Sequence, residues 1–112
     1  MVRQLERLSA TARSLIEQEE LSISPIVAVE LSFLHELGRL TVDAGEIVGY
    51  LGAMIGLLQD DAAFAAVVAL SSRFDWTRDP FDRIIVAQAQ LREARLITKD
   101  QSLLQRFPLA VW

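Results

Sequence analysis

Short apolar segments with strand character alternate with capped amphipathic helices along this chain, and that alternation leaves few folds open to it. The signal is clearest from residue 79 onward. Asp79-Pro80 reads as an N-cap with proline at the first helical position, opening a helix whose apolar positions are Phe81, Ile84, Ile85, Val86 and Leu91. Arg95 to Thr98 reads as a strand ending at Lys99-Asp100. Asp100 then caps a short helix through Leu103, Leu104 and Phe107, and Leu109 to Trp112 forms a last strand. Toward the amino end, Leu5, Leu8, Ala12, Leu15 and Ile16 recur at helical spacing and predict a helix over 3–19. Leu21 to Ser24 follows as a strand. Ser24-Pro25 begins a helix expected to run to about Leu37 and stop at Gly38. Asp43 to Ala53 reads as a helix weakened by Gly49 and Gly52, Met54 to Leu58 as a strand, and Asp61 to Ser72 as an Ala-rich helix. Short connections between alternating elements imply a parallel sheet in an α/β sandwich.

The 112 residues suit one domain, 1–112, and an apolar share of 52% with 23% charged residues is a globular composition. The chain has no cysteine, which excludes a disulfide framework and a thiolate zinc site, and His35 is its one histidine. The longest apolar run, Ala62 to Leu70, is far short of a membrane span. Arg3, Glu6 and Arg7 break up any secretory signal, so a soluble cytoplasmic protein without a membrane partner is expected. The net charge of −4 argues against a protein that coats nucleic acid. Its distribution is uneven. Residues 1–72 carry four Arg against ten acids, whereas residues 73–112 carry six Arg and Lys99 against five.

Three carboxylates stand where plain packing does not want them. Glu30 lies roughly 160° around its helix from Ser32, among Ile26, Phe33 and Leu37, and away from His35, Glu36 and Arg39. Such a carboxylate needs a hydrogen bond, a cation or a metal, and a salt bridge to one of ten arginines is the plain alternative. Asp82 heads the stripe of Ile85, Val86 and Ala89, although Asp79 already fills the capping role. Asp100 stands at the carboxyl end of a strand, where ligands of open parallel sheets gather, but a helix cap explains it equally well. Together the three would form an all-oxygen site suited to Mg²⁺ or Mn²⁺. Such ions activate water and stabilise charge on a phosphodiester. No phosphate loop follows from Gly49, Gly52 and Gly56, and there is no Gly-x-Ser-x-Gly elbow. His35 reads as a solvated residue, and Trp76 and Trp112 as packing residues.

The run from Asp79 to Ala89, with its Asp-Pro-Phe-Asp-Arg opening, followed by Leu96-Ile-Thr-Lys-Asp100, resembles the second half of PIN-domain ribonucleases. Within them it is most similar to the VapC-like toxins of bacterial toxin–antitoxin pairs. Residues 24–40 resemble that family's second segment, and Phe107 to Trp112 its ending. The resemblance implies a three-layer α/β/α sandwich around a mostly parallel sheet and a metal-dependent endoribonuclease. By position, Glu30, Asp82 and Asp100 match three of the family's four acidic residues, with Asp79 and Thr98 at accessory positions. It further implies Mg²⁺ or Mn²⁺ as cofactor, RNA as substrate, a homodimer, and a cognate antitoxin that blocks the site. Arg78 or Arg83 would position the RNA backbone.

The family begins with an apolar strand ending in Asp, which supplies a first acidic ligand and the central strand of its sheet. This chain starts at Met1-Val2-Arg3 and leads directly into a helix, so it reads as truncated at the amino end. The sheet is then expected to rearrange, to be completed by a partner, or to have a true start further upstream. Activity of the chain as it stands is expected to be low or absent. The alternative is a degenerate, non-catalytic PIN module that binds an antitoxin or a homologous subunit. A third reading makes the acids helix caps and salt bridges throughout.

Overall fold

The computed structural model describes residues 9–112, so the first part of the expected helix over 3–19 lies outside the described residues. Its remainder is α1 (Ala10–Gln18), opened by Ser9, whose side chain accepts from the Ala12 N–H at 3.0 Å. β1 (Ser22–Ile23) leads into α2 (Ile26–Glu36). The serine cap works nearly as expected: Ser24 Oγ accepts from the Ile26 N–H at 3.3 Å, with Pro25 at the helix threshold. Gly38, at φ 77°, lies just beyond the helix where a left-handed residue is needed. α3 (Ala44–Ile55) starts at Asp43, whose carboxylate accepts from the Glu46 N–H at 2.9 Å. Then come β2 (Leu58–Gln59), α4 (Phe64–Ser71), α5 (Pro80–Leu91), β3 (Leu96–Ile97), α6 (Gln101–Arg106) and β4 (Ala110–Val111).

Two expected boundaries move. The segment Met54 to Leu58 is not a strand: α3 continues through Ile55, and Gly56 at φ 68° ends it, so the strand slips to Leu58–Gln59. The Ala-rich helix begins at Phe64 instead of Asp61 because Asp60 turns its carboxylate onto the Ala62 N–H at 3.2 Å, which holds that stretch as a turn.

The strands pair in parallel as expected, Ser22 with Leu58 and Leu96 with Ala110, but not in a single sheet. Among the described residues β1 pairs with β2 and β3 with β4, and no strand joins the two pairs. Between them lies a cavity of about 710 Å³. The packed centre sits on the β3–β4 side, where Val86, Leu103 and Phe107 are buried against Phe74, Trp76, Leu96 and Leu109. Phe74 meets both Trp76 and Phe107 edge-on, at 6.4 and 6.3 Å between ring centres. Trp112 carries Lys99 over its ring at 5.6 Å. Trp76 thus acts in packing.

α4 packs closely on α5, and α2 rests on both α3 and α5. The apolar stripe of α2 is not the buried face that its periodicity suggests: Phe33 is 50% exposed and Leu37 71%. Phe33 instead meets Phe81 of α5 edge-on, with ring centres 5.9 Å apart. His35 is exposed, as read from its helix position.

Candidate active site

That ring contact sets the site, because Phe33 lies one turn beyond Glu30 and Phe81 directly precedes Asp82. Joining the two rings links the helices that carry the two carboxylates, and Glu30, Asp79, Asp82, Thr98 and Asp100 all line the cavity. The structure therefore brings together the five residues that the sequence singled out from three separate segments.

Asp79 and Asp100 are held by their backbones. Asp79 caps α5, its Oδ1 accepting from the Phe81 and Asp82 N–H groups at 2.9 and 3.4 Å. Asp100 caps α6, its Oδ1 accepting from the Leu103 N–H at 3.1 Å. Each cap is itself fixed by a threonine two residues earlier. Thr98 Oγ1 accepts from the Asp100 N–H at 3.1 Å, and Thr77 Oγ1 from the Asp79 N–H at 3.3 Å. Thr77 was not among the residues expected at the site, yet Thr77-Arg-Asp79 repeats the spacing of Thr98-Lys-Asp100 and was readable there.

Glu30 and Asp82 are different: neither carboxylate has a hydrogen-bond or ion-pair partner among the described residues. Among the described residues, the salt bridge that would have explained Glu30 is not formed. Burial raises the Glu30 carboxyl above its ordinary value, and the nearby Asp79 charge raises it further. Asp82 is pushed up to about 6, first by burial and then by the charges of Asp79, Asp100 and Glu30. Two partly buried acids without partners, repelled by two fixed ones, make a site with an unmet demand for positive charge.

The donor set, all carboxylate and hydroxyl oxygen, fits a hard divalent ion such as Mg²⁺ or Mn²⁺. The site is open: among the described residues no three acids or histidines are gathered closely enough to hold an ion.

The arginines divide. Arg83 Nε donates to the Thr77 carbonyl at 2.7 Å and steadies the loop that carries Asp79, while Arg78 is exposed beside the cap. Arg92 forms ion pairs with Asp60 at 2.8 Å and Asp61 at 2.9 Å. Asp60 also accepts from the buried Gln88 amide at 2.6 Å. Burial opposes ionisation of Asp60, but the bonds from Gln88, the Ala62 N–H and Arg92 outweigh it and hold its carboxyl below its usual value. This clamp ties the end of β2 to α5.

The PIN-domain family profile matches residues 4–108, nearly the whole chain and every residue of the cavity site. The chain belongs to the PIN-domain family. The α/β architecture with short parallel strands agrees with the PIN fold, a fold of nuclease type. No curated protein sequence and no solved structure matches the chain. Among the described residues no helix is long and apolar enough to cross a membrane.

Proposed function

We propose that this PIN domain is a metal-dependent endoribonuclease of the VapC-like toxin type, with Glu30, Asp82 and Asp100 as the residues that would hold Mg²⁺ or Mn²⁺. The observation that carries the reading is the pair Glu30 and Asp82, partly buried without partners in a cavity shared with two more acids. A protein gains nothing in stability from that arrangement, so it points to a ligand. The ion, when bound, supplies Lewis-acid polarisation of an RNA phosphodiester. Asp79 and Thr98 keep the site rigid: one fixes the start of α5 and the other the approach to Asp100. Arg78, exposed and without a hydrogen bond or ion pair among the described residues, is available to an RNA phosphate, whereas the Nε of Arg83 is committed to Thr77. A cognate antitoxin, a homodimer and a cytoplasmic setting belong to the same reading.

The test is cleavage of a labelled RNA in Mn²⁺. The expected result is weak cleavage that a chelator abolishes and that Asp82→Asn removes. Cleavage unchanged in Asp82→Asn contradicts the reading. No cleavage at any Mn²⁺ concentration turns it to the second one, a non-catalytic PIN module that binds an antitoxin or a homologous subunit. The openness of the acid cluster favours that alternative.

A further inference from the structure

Three aromatic side chains stand well out of the core among the described residues: Phe33 is 50% exposed, Tyr50 44% and Phe64 60%. They differ in what holds them. Phe33 meets Phe81 edge-on, with ring centres 5.9 Å apart and planes at 81°, whereas no ring contact holds Tyr50 or Phe64 among the described residues. An edge-on pair leaves at least one face of each ring uncovered by the other. Phe33 is therefore fixed in place while a flat apolar face stays open to solvent. Val29 and Leu37, one turn to either side on α2, are exposed as well, but neither is flat.

The position of this ring is as telling as its exposure. Phe33 follows Glu30 by three residues on α2, which sets their Cβ atoms about 5–6 Å apart. Phe81 precedes Asp82 in the first turn of α5. The ring pair thus bridges the two helices that carry the partnerless carboxylates, although neither ring lines the cavity. Three residues before Phe81, the exposed Arg78 stands beside the Asp79 cap. Acids suited to a metal, an arginine suited to a phosphate and an open ring belong to one short stretch of structure. Proteins that bind single-stranded nucleic acid combine cations along the backbone with aromatic rings under the bases in this way.

We propose that the open face of Phe33 is a stacking platform for one base of single-stranded RNA, next to the phosphate that meets the acid cluster. The proposal rests on the nuclease reading for the identity of the substrate, and adds the residue that selects its unpaired form. A phosphodiester at Glu30 and Asp82 carries a nucleoside on either side, and a ring one helical turn from Glu30 is within reach of one of them. Every base has a π-face, so the platform selects no sequence. It does select strandedness, because a base inside a duplex is stacked on its neighbours and has no face to offer. A protein helix laid on α2 would instead use the whole row of Val29, Phe33 and Leu37. The link from Phe33 through Phe81 to the helix of Asp82 favours the nucleic acid.

The probe is a short RNA without self-pairing that carries 2-aminopurine, a base whose fluorescence falls on stacking, at a different position in each of a series. Binding to the full 112-residue chain is measured in Ca²⁺, with the RNA single-stranded or annealed to its complement. The parent is expected to quench one position of the single strand and to bind the duplex at least tenfold more weakly. Phe33→Leu, which keeps apolar bulk and removes the flat face, should raise Kd for the single strand about tenfold and abolish the quenching. Phe33→Trp should restore both. If Phe33→Leu does not fold, the quenching and the strand preference of the parent decide. Equal binding by parent and Phe33→Leu, equal binding of single strand and duplex, or no binding overturns the proposal. So does a dimer in sedimentation that Phe33→Leu disperses while RNA binding is unchanged, which would assign the ring to a protein contact. Cleavage in Mn²⁺ is read separately. Cleavage that needs Asp82 but is indifferent to Phe33→Leu keeps the nuclease and refutes the platform, whereas quenching that needs Phe33 without cleavage keeps the platform and refutes the nuclease.

Discussion

Replacing Asp82 by asparagine should make the protein more stable at neutral pH. The Asp82 carboxyl moves from its ordinary 3.8 to about 6 in the folded chain, because burial and three neighbouring acids disfavour its charge. At about 1.4 kcal/mol per pH unit that displacement corresponds to about 3 kcal/mol. Asp82 keeps partial contact with water, and screening leaves roughly half of that. Asparagine also forgoes the attraction of a first-turn carboxylate to the helix dipole, about 0.5 kcal/mol. The net gain for Asp82→Asn is then about 1 kcal/mol, or roughly 4 °C in Tm for a domain of this size. Its pH dependence is fixed in sign. A carboxyl whose folded value is raised contributes stability in full below its unfolded value near 3.8, and that contribution is lost as pH rises through about 6. Parent and variant should therefore melt alike below 3.8, diverge between there and about 6, and differ by a constant amount above. Thermal melts in metal-free buffer from pH 3.5 to 8 measure this. A variant less stable than the parent at pH 7.5 would show that Asp82 makes a stabilising contact, and the argument for a site awaiting a cation would fail.

Four further outcomes follow from the same geometry. Mn²⁺ at 100 times its Kd should stabilise the parent chain by about 2.7 kcal/mol in a thermal melt, with the effect fading below about pH 6 as Asp82 takes up its proton. Asp100→Ala should cost about 1 kcal/mol in urea denaturation through loss of the α6 cap, whereas Asp100→Asn should cost less because its side-chain oxygen still accepts from Leu103. Arg92→Ala should cost about 1–3 kcal/mol, since it leaves Asp60, only 13% exposed, short of a charged donor. Asp61→Ala should change almost nothing, because that carboxylate is 98% exposed.

What could be read from the sequence was what is decided within one helical turn. Asp43, Asp79 and Asp100 cap the helices they begin because cap chemistry needs only the next three residues. The convergence of Glu30, Asp82 and Asp100 was also legible, since each stands at a strand end or on an apolar stripe. Events across the chain were not. Asp60 joins Gln88 and Arg92 from 28 and 32 residues away, and no local pattern marks such a clamp. Phe33 and Leu37 looked like core because they share a stripe with Ile26, but periodicity says only that a face is apolar, not that something covers it. The division of the sheet is the same kind of fact. Alternation of strands and helices predicts parallel pairing, while the continuity of a sheet depends on which strand fills its middle.

The most direct measurement is Mn²⁺ binding to the chain by electron paramagnetic resonance or calorimetry, comparing the parent with Glu30→Gln and Asp82→Asn at pH 7.5. One bound ion in the parent, weakened at least tenfold by either substitution, is the result expected from carboxylates that have no partner among the described residues. An ion held equally by all three chains, or by none, would contradict the claim that these acids form a metal site.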